Sequence, residues 1–311
     1  MIDTLTIGIR FALYVDLMLL FGLPLFGLYA LRGTERMHSN VLPLQAQALW
    51  LSATGAALSV LSIFAMTASM AGVTLLEVDR ASVGMMISET PMGKAWAARM
   101  AALLATLVIT TVMEGRKSPV WLVLISVGSA TALASLAWTG HGAASEGAAG
   151  MRQLIADIVH LLASGAWIGA LAALGMLLFR PARSMPKDHI LLTHRALEGF
   201  SLIGTLIVAL IVVSGLLNSW VLVGPEHLLA MSSTLYGQLL IAKLVLFGGM
   251  LALAAVNRFR LTPAFDQAIK QGGLLEVISH LRRSLILESS AALLILGLVA
   301  WLGTLEPPMS M

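Results

Sequence analysis

The sequence predicts an all-α integral membrane protein built as a bundle of eight transmembrane helices. Two observations lead there. Of 311 residues, 58% are hydrophobic and only 11% charged, with a mean hydropathy of +0.90, whereas soluble domains carry about 25% charged residues. So few charges cannot cover an aqueous surface of this size, and disordered chains are polar and highly charged. The second observation is the grouping of the apolar residues. They form long runs of the length a spanning helix needs, about 20 residues, and not the short alternating segments of a membrane β-barrel.

The runs lie at roughly 7–31, 42–72, 95–113, 119–140, 153–179, 196–222, 233–257 and 284–304. The first has no basic region before it and no small-residue cleavage pattern after it, so it reads as a retained helix and not a signal peptide. The second is long enough to tilt, or to begin at the interface near Pro43. Short connections join the rest. The longest, 73–94 and 258–283, are too small for separate domains, and the second reads as an amphipathic stretch on the membrane surface. The chain 1–311 is therefore expected to be one polytopic membrane domain. No internal repeat is visible that would point to an inverted-repeat transporter.

Orientation follows from the basic residues. Loops on one side carry Arg32, Arg36, Arg116, Lys117, Arg180, Arg183, Lys187, Arg195, Arg258, Arg260, Lys270, Arg282 and Arg283; the other side has only Arg80, Lys94 and Arg152. Under the positive-inside rule the first set is cytoplasmic. Both termini are then expected on the periplasmic side of a bacterial inner membrane.

Charges inside a bilayer are costly, about 2.5–3.5 kcal/mol each on insertion scales, and so mark candidate functional positions. They are Asp16, Asp157, His160, Lys243 and Glu288, with Arg10 and Arg99 nearer the ends, where snorkelling to headgroups is the simpler expectation. Asp16 and Lys243 are placed at matching depth by counting and are expected either to pair between helices, mainly as structure, or Lys243 instead to line a water-filled path. Glu288 is expected either to pair with Arg258 or a nearby arginine, or to serve transport.

The most pointed group lies on the outer side. His141 ends helix four in WTGHGAASEG, and helix five begins RQLIADIVHLLASGAWIG. Asp157 and His160, three apart, share one helical face, and the short connection brings His141 near them. Two imidazoles and a carboxylate suit a borderline divalent metal such as copper or zinc. The competing reading is a hydrogen-bonded His160 bridging helices, with His141 in a loop. His227 is a weaker candidate. Among 17 methionines, Met70, Met85, Met86, Met92, Met151, Met231, Met309 and Met311 fall on the outer side; thioethers suit Cu(I), yet methionine is also ordinary apolar filler. Gly165 and Gly169 form a GxxxG that permits close helix approach. Cysteine is absent, which excludes disulfides, Cys-based zinc and iron–sulfur sites.

Several segments resemble the copper resistance protein D (CopD) family of inner-membrane proteins. GKAWAAR (93–99) looks like the family's G-x-x-W-x-x-R. TGHGAA and DIVHLLASGAWIGAL look like its GHA element and its element running from a histidine to W-x-G-x-L. FSLIG and SGLLNSW follow in helix six, and LRRSLILE opens helix eight. Helix seven carries the most specific match: Tyr236, Lys243, Asn257, Arg258 and Pro263 stand at the spacings of Y-G-x-x-L-x-x-K and A-A-x-N-R-x-x-L-x-P. The resemblance runs from about residue 90 and is strongest over 196–304; helices one and two match only in hydropathy. One departure is Gly199 before Phe200-Ser201, where family members often have arginine.

The resemblance implies copper handling across the inner membrane, with uptake toward the cytoplasm and a periplasmic copper-binding protein of the CopC type as partner. His141 and His160 would receive copper, with Asp157 as third ligand or supporting partner, and Tyr236, Lys243, Asp16 and Glu288 as pathway or structural residues. No G-x-x-x-x-G-K-[ST] loop is present, so transport without ATP hydrolysis is expected, and neither enzymatic activity nor nucleic-acid binding. Two alternatives compete: a haem-containing membrane redox protein held by facing histidines, and a copper-binding scaffold or sensor that moves no metal.

Overall fold

The computed structural model describes residues 2–36, 41–113, 119–140, 147–180, 185–223 and 233–305. Among these residues there is no strand, and eight helical spans are long and apolar enough to cross a membrane. Helix α1 is Ile2–Ala30 and α2 Leu44–Ala71; a short α3, Arg80–Glu89, precedes α4, Pro91–Val112. Helix α5, Val120–Ala134, tightens into a 3-10 turn at Ser135–Thr139. Helices α6, Gly147–Leu178, and α7, Lys187–Val223, follow. Helix α8, Leu235–Val256, runs through a π-helical segment, Asn257–Leu261, into α9, Thr262–Gln271, before α10, Leu274–Leu302. Eight crossings bring the start of α1 and the end of α10 to one face, called here the terminal face.

Helix α1 is the axis of the bundle, packed by α2, α5, α6 and α10. Its closest neighbour is α6, and glycines set the approach. A Cβ on Gly22 would stand 2.7 Å from the Cα of Gly169, and the Gly165 carbonyl blocks it as well. The expected GxxxG therefore packs on a single glycine of α1. Helices α7 and α8 lie at the other extreme: only 22% and 11% of their apolar windows are buried, so their remaining surface is available to lipid.

The 73–94 connection folds locally. The Asp79 side chain caps α3 at the Ser82 amide, and Thr90 caps α4 at the Gly93 amide, each satisfying an otherwise orphaned helix N–H. The 258–283 connection is helical and amphipathic, burying Thr262, Phe265 and Ala268 on one side. The π turn makes it a continuation of α8, and the reversal into α10 rests on Gly272 and Gly273, at φ +99° and +87°, conformations that favour glycine.

The two arginines expected to snorkel behave differently. Arg10 reaches the Thr139 carbonyl and packs against Gly303 near the terminal face. Arg99 is 2% exposed, within electrostatic reach of Tyr14. It is an interior residue, because α4 turns that side onto α1 and α2 instead of toward the headgroups.

Candidate functional site

Two cavities lie one above the other in the half of the bundle formed by α6, α7, α8 and α10. The first, about 430 Å³, opens in the terminal half and is lined by His160 and Ser164 of α6, Ser219 and Trp220 of α7, Lys243 of α8, and Tyr14 and Met18 of α1. The second, about 320 Å³, lies toward the opposite face and holds Glu288, Asn257, Arg258 and Thr205. Trp167 belongs to the walls of both. It is 3% exposed and packs edge-on to Phe200 at 5.9 Å between ring centroids.

The polar group of the first cavity is assembled from three helices. Asp157 and His160 project from one face of α6, one turn apart, as their spacing requires. Helix α7 holds the imidazole: Nδ1 of His160 meets Ser214 Oγ at 3.0 Å. Gly215 leaves the room, since a Cβ there would stand 3.3 Å from the ring. Helix α8 brings Lys243 within electrostatic reach of both Asp157 and His160, and Tyr236 within reach of Asp157. Lys243 and His160 thus line one apolar chamber, with Asp157 one turn away on α6 and within electrostatic reach of Lys243, and low dielectric strengthens each interaction.

The other predicted residues fall elsewhere. Asp16 accepts a hydrogen bond from Thr54 of α2 and fills the space left by Gly55. The expected Asp16–Lys243 pair is therefore replaced: Asp16 is engaged by Thr54, and Lys243 lies within electrostatic reach of Asp157. Glu288 accepts from Asn257, while Arg258 donates to Thr205, so the expected Glu288–Arg258 pair gives way to an amide contact. His141, His227, Met231, Met309 and Met311 lie outside the described residues. Among the described residues no three His, Asp or Glu side chains gather as a metal set. Met70, Met85 and Met151 are exposed, and Met86 is buried beside Thr90.

Sequence reasoning missed the methionines that do reach the first cavity, Met18 and Met250. It also missed Ser214 as the imidazole's partner and Trp167 as the partition. Their only advance signal was membership of the segments SGLLNSW and SGAWIGAL. Spacing alone marks neither as functional.

Comparison with known proteins adds the chemistry that geometry leaves open. The family profile described as "Copper resistance protein D-like, N-terminal domain" matches residues 1–151, and that described as "Copper resistance protein D" matches residues 194–302. The likeness thus extends into helices one and two, further than motif reading carried it. The chain is 46% identical over 309 residues to copper resistance protein D of Pseudomonas syringae pv. tomato, covering 99% of this chain and 98% of that protein. It is 26% identical over 266 residues to the inner membrane protein YebZ of Escherichia coli (strain K12), 84% of this chain and 86% of the relative. It is also 32% identical over 180 residues to the copper transport protein CutJ of Bacillus subtilis (strain 168), 54% of this chain but 30% of that longer protein. No solved structure matches. On the full-length match and the two profiles, this multi-pass membrane chain belongs to the copper resistance protein D family.

Proposed function

We propose that the protein carries copper through the inner membrane from periplasm to cytoplasm, without ATP hydrolysis and without catalysing a reaction. The terminal face is then periplasmic, as the basic residues gathered on the opposite face favour. The observation that carries the reading is the first cavity, lined by His160 and Lys243 with Asp157 within electrostatic reach of Lys243, beneath that face and above a second cavity.

Each residue has a task on this reading. Ser214 holds Nδ1 of His160, leaving Nε2 as the nitrogen for copper; such outer partners fix ring orientation and basicity. Lys243 stands in for the cargo, balancing Asp157 when no metal is present. Copper arriving at His160 takes over the carboxylate, and the ammonium swings away. Met18 and Met250, on the same wall, supply soft donors suited to Cu(I), while imidazole and carboxylate also suit Cu(II). His141, outside the described residues, would complete the set. A periplasmic copper-binding protein of the CopC type would deliver the metal to the terminal face.

The test is copper flux in proteoliposomes made from the full chain. Wild-type protein is expected to move copper, and His160→Ala and Asp157→Asn to stop it without loss of fold. Wild-type flux that survives both substitutions would refute the assignment. Copper binding without flux would leave a scaffold or sensor in its place, and a Soret band in the purified protein would favour the haem reading.

A further inference from the structure

The second cavity is furnished differently from the first. Glu288 is 1% exposed. Its carboxylate accepts from the Asn257 amide and, at 3.4 Å, from Ser284 Oγ. The Asn257 carbonyl oxygen is itself buried and has no hydrogen-bond partner among the described residues. Asn257 opens the π-helical segment, and π turns recur at functional sites because they displace a side chain from the regular helical register.

The charges around this carboxylate are few. Arg258, from the π segment, lines the same cavity but donates to Thr205 of α7. Arg282, on α10 itself, is turned to the carbonyls of Leu178 and Arg180. Helices α6 and α7 bring only apolar and hydroxyl-bearing side chains to the cavity wall, and α9 brings Thr262. Among the described residues Glu288 forms no ion pair. A buried intramembrane carboxylate with amide and hydroxyl company, facing open volume, is a site for a cation that comes and goes.

We propose that Glu288 and Asn257 form a cation-exchange site on the release side of the pathway. The inference rests on the transport reading above. Ionised Glu288 takes the copper cation that passes Trp167, with the free Asn257 oxygen as second donor. A proton from water on the opposite face then replaces the metal: the copper–carboxylate bond breaks, an O–H bond forms, and the hydrated cation leaves. The Asn257 amide can serve both states, donating through its NH₂ to the carboxylate and accepting through its oxygen from the carboxylic acid. Oxygen donors hold copper less tightly than imidazole, so the second site is the weaker of the two and favours release.

The experiment is a Cu(II) titration of the full-length protein in detergent, read by pulsed electron paramagnetic resonance. Wild type is expected to show one nitrogen-coupled and one oxygen-only population. Glu288→Gln should remove the oxygen-only population and halve the bound copper, while the intact nitrogen-coupled signal reports a folded protein. Wild type with only the nitrogen-coupled population, or Glu288→Gln retaining both, overturns the exchange site and leaves the His160 assignment standing. A Glu288-dependent population without any nitrogen-coupled one supports the exchange site and overturns His160. Absence of both overturns the two together.

Discussion

Trp167 is where a single substitution should separate the two cavities' roles. Its indole forms part of both walls, lies 3% exposed, and meets Phe200 edge-on. The indole N–H has no hydrogen-bond partner among the described residues. Truncation to alanine removes the buried ring and joins the two chambers, and Trp→Ala changes of this kind cost about 3–5 kcal/mol. Phenylalanine tells a different story. It keeps an edge-on aromatic contact worth about 0.5–1.5 kcal/mol and deletes a buried donor whose desolvation costs about 1–3 kcal/mol. Loss of ring volume and relief of the orphaned donor then roughly cancel, and Trp167→Phe should stay within about 1.5 kcal/mol of wild type. Thermal unfolding in detergent micelles measures both variants. In proteoliposomes Trp167→Ala should leak copper down a copper gradient alone, and Trp167→Phe should remain tight. Equal stability of the two variants, or an alanine variant that does not leak, would refute the partition.

Further expectations concern the packing and the polar groups. Gly22→Ala should destabilise by about 1–3 kcal/mol, since the blocking atoms belong to the α6 backbone; Gly8→Ala, with open space around it, should not, and chemical denaturation of both compares them directly. Ser214→Ala should weaken copper binding at the His160 site by about 10–100-fold, the range for losing an imidazole's outer partner, where His160→Ala abolishes that site; the nitrogen-coupled copper signal distinguishes the two. Thr54→Val leaves the Asp16 carboxylate without its donor and should cost about 1–3 kcal/mol while copper binding is retained, because Asp16 lies apart from the first cavity. Glu35→Ala breaks the ion pair with Arg195 at 2.5 Å, but both side chains are partly exposed, so the loss should not exceed about 1 kcal/mol.

Hydropathy made the eight spans legible because a bilayer imposes length and composition on every crossing at once. It said much less about azimuth. Counting along each helix assigns Asp16 and Lys243 the same depth, but each residue turns the side chain by about 100°. The partner of Lys243 is therefore decided by how α8 is rotated against α6, which no count along one helix reveals. Asp157 and His160 were legible as a pair because both sit on one helix, where spacing alone fixes the shared face. The π segment was not legible, since Asn257 to Leu261 reads as an ordinary helix end followed by a proline at 263. That one irregularity carries Asn257 to Glu288 and so furnishes the second cavity.

The basic residues that signal orientation also do mechanical work on the face they mark. Arg36 donates to the carbonyls of Leu31 and Leu28 at 2.8 and 2.7 Å, closing the end of α1. Arg282 donates to the carbonyls of Leu178 and Arg180, closing the end of α6, and Arg180 reaches the Val41 carbonyl at 3.0 Å. Helices α1 and α6 both terminate there, presenting unpaired carbonyls and the negative end of the helix dipole. They are also the two helices whose glycines bring them closest, so their ends must be held where the backbone has no side chains to grip. A cationic fork that satisfies two carbonyls does this. The same arginines stay out of the second cavity because the carbonyls occupy them. Arg258, the one basic side chain lining that cavity among the described residues, is engaged by Thr205. The charges of Arg258 and Arg282 are thus tied to a hydroxyl and to backbone carbonyls, and on the transport reading a cation leaving past Glu288 would meet a carboxylate before a free arginine of that cavity.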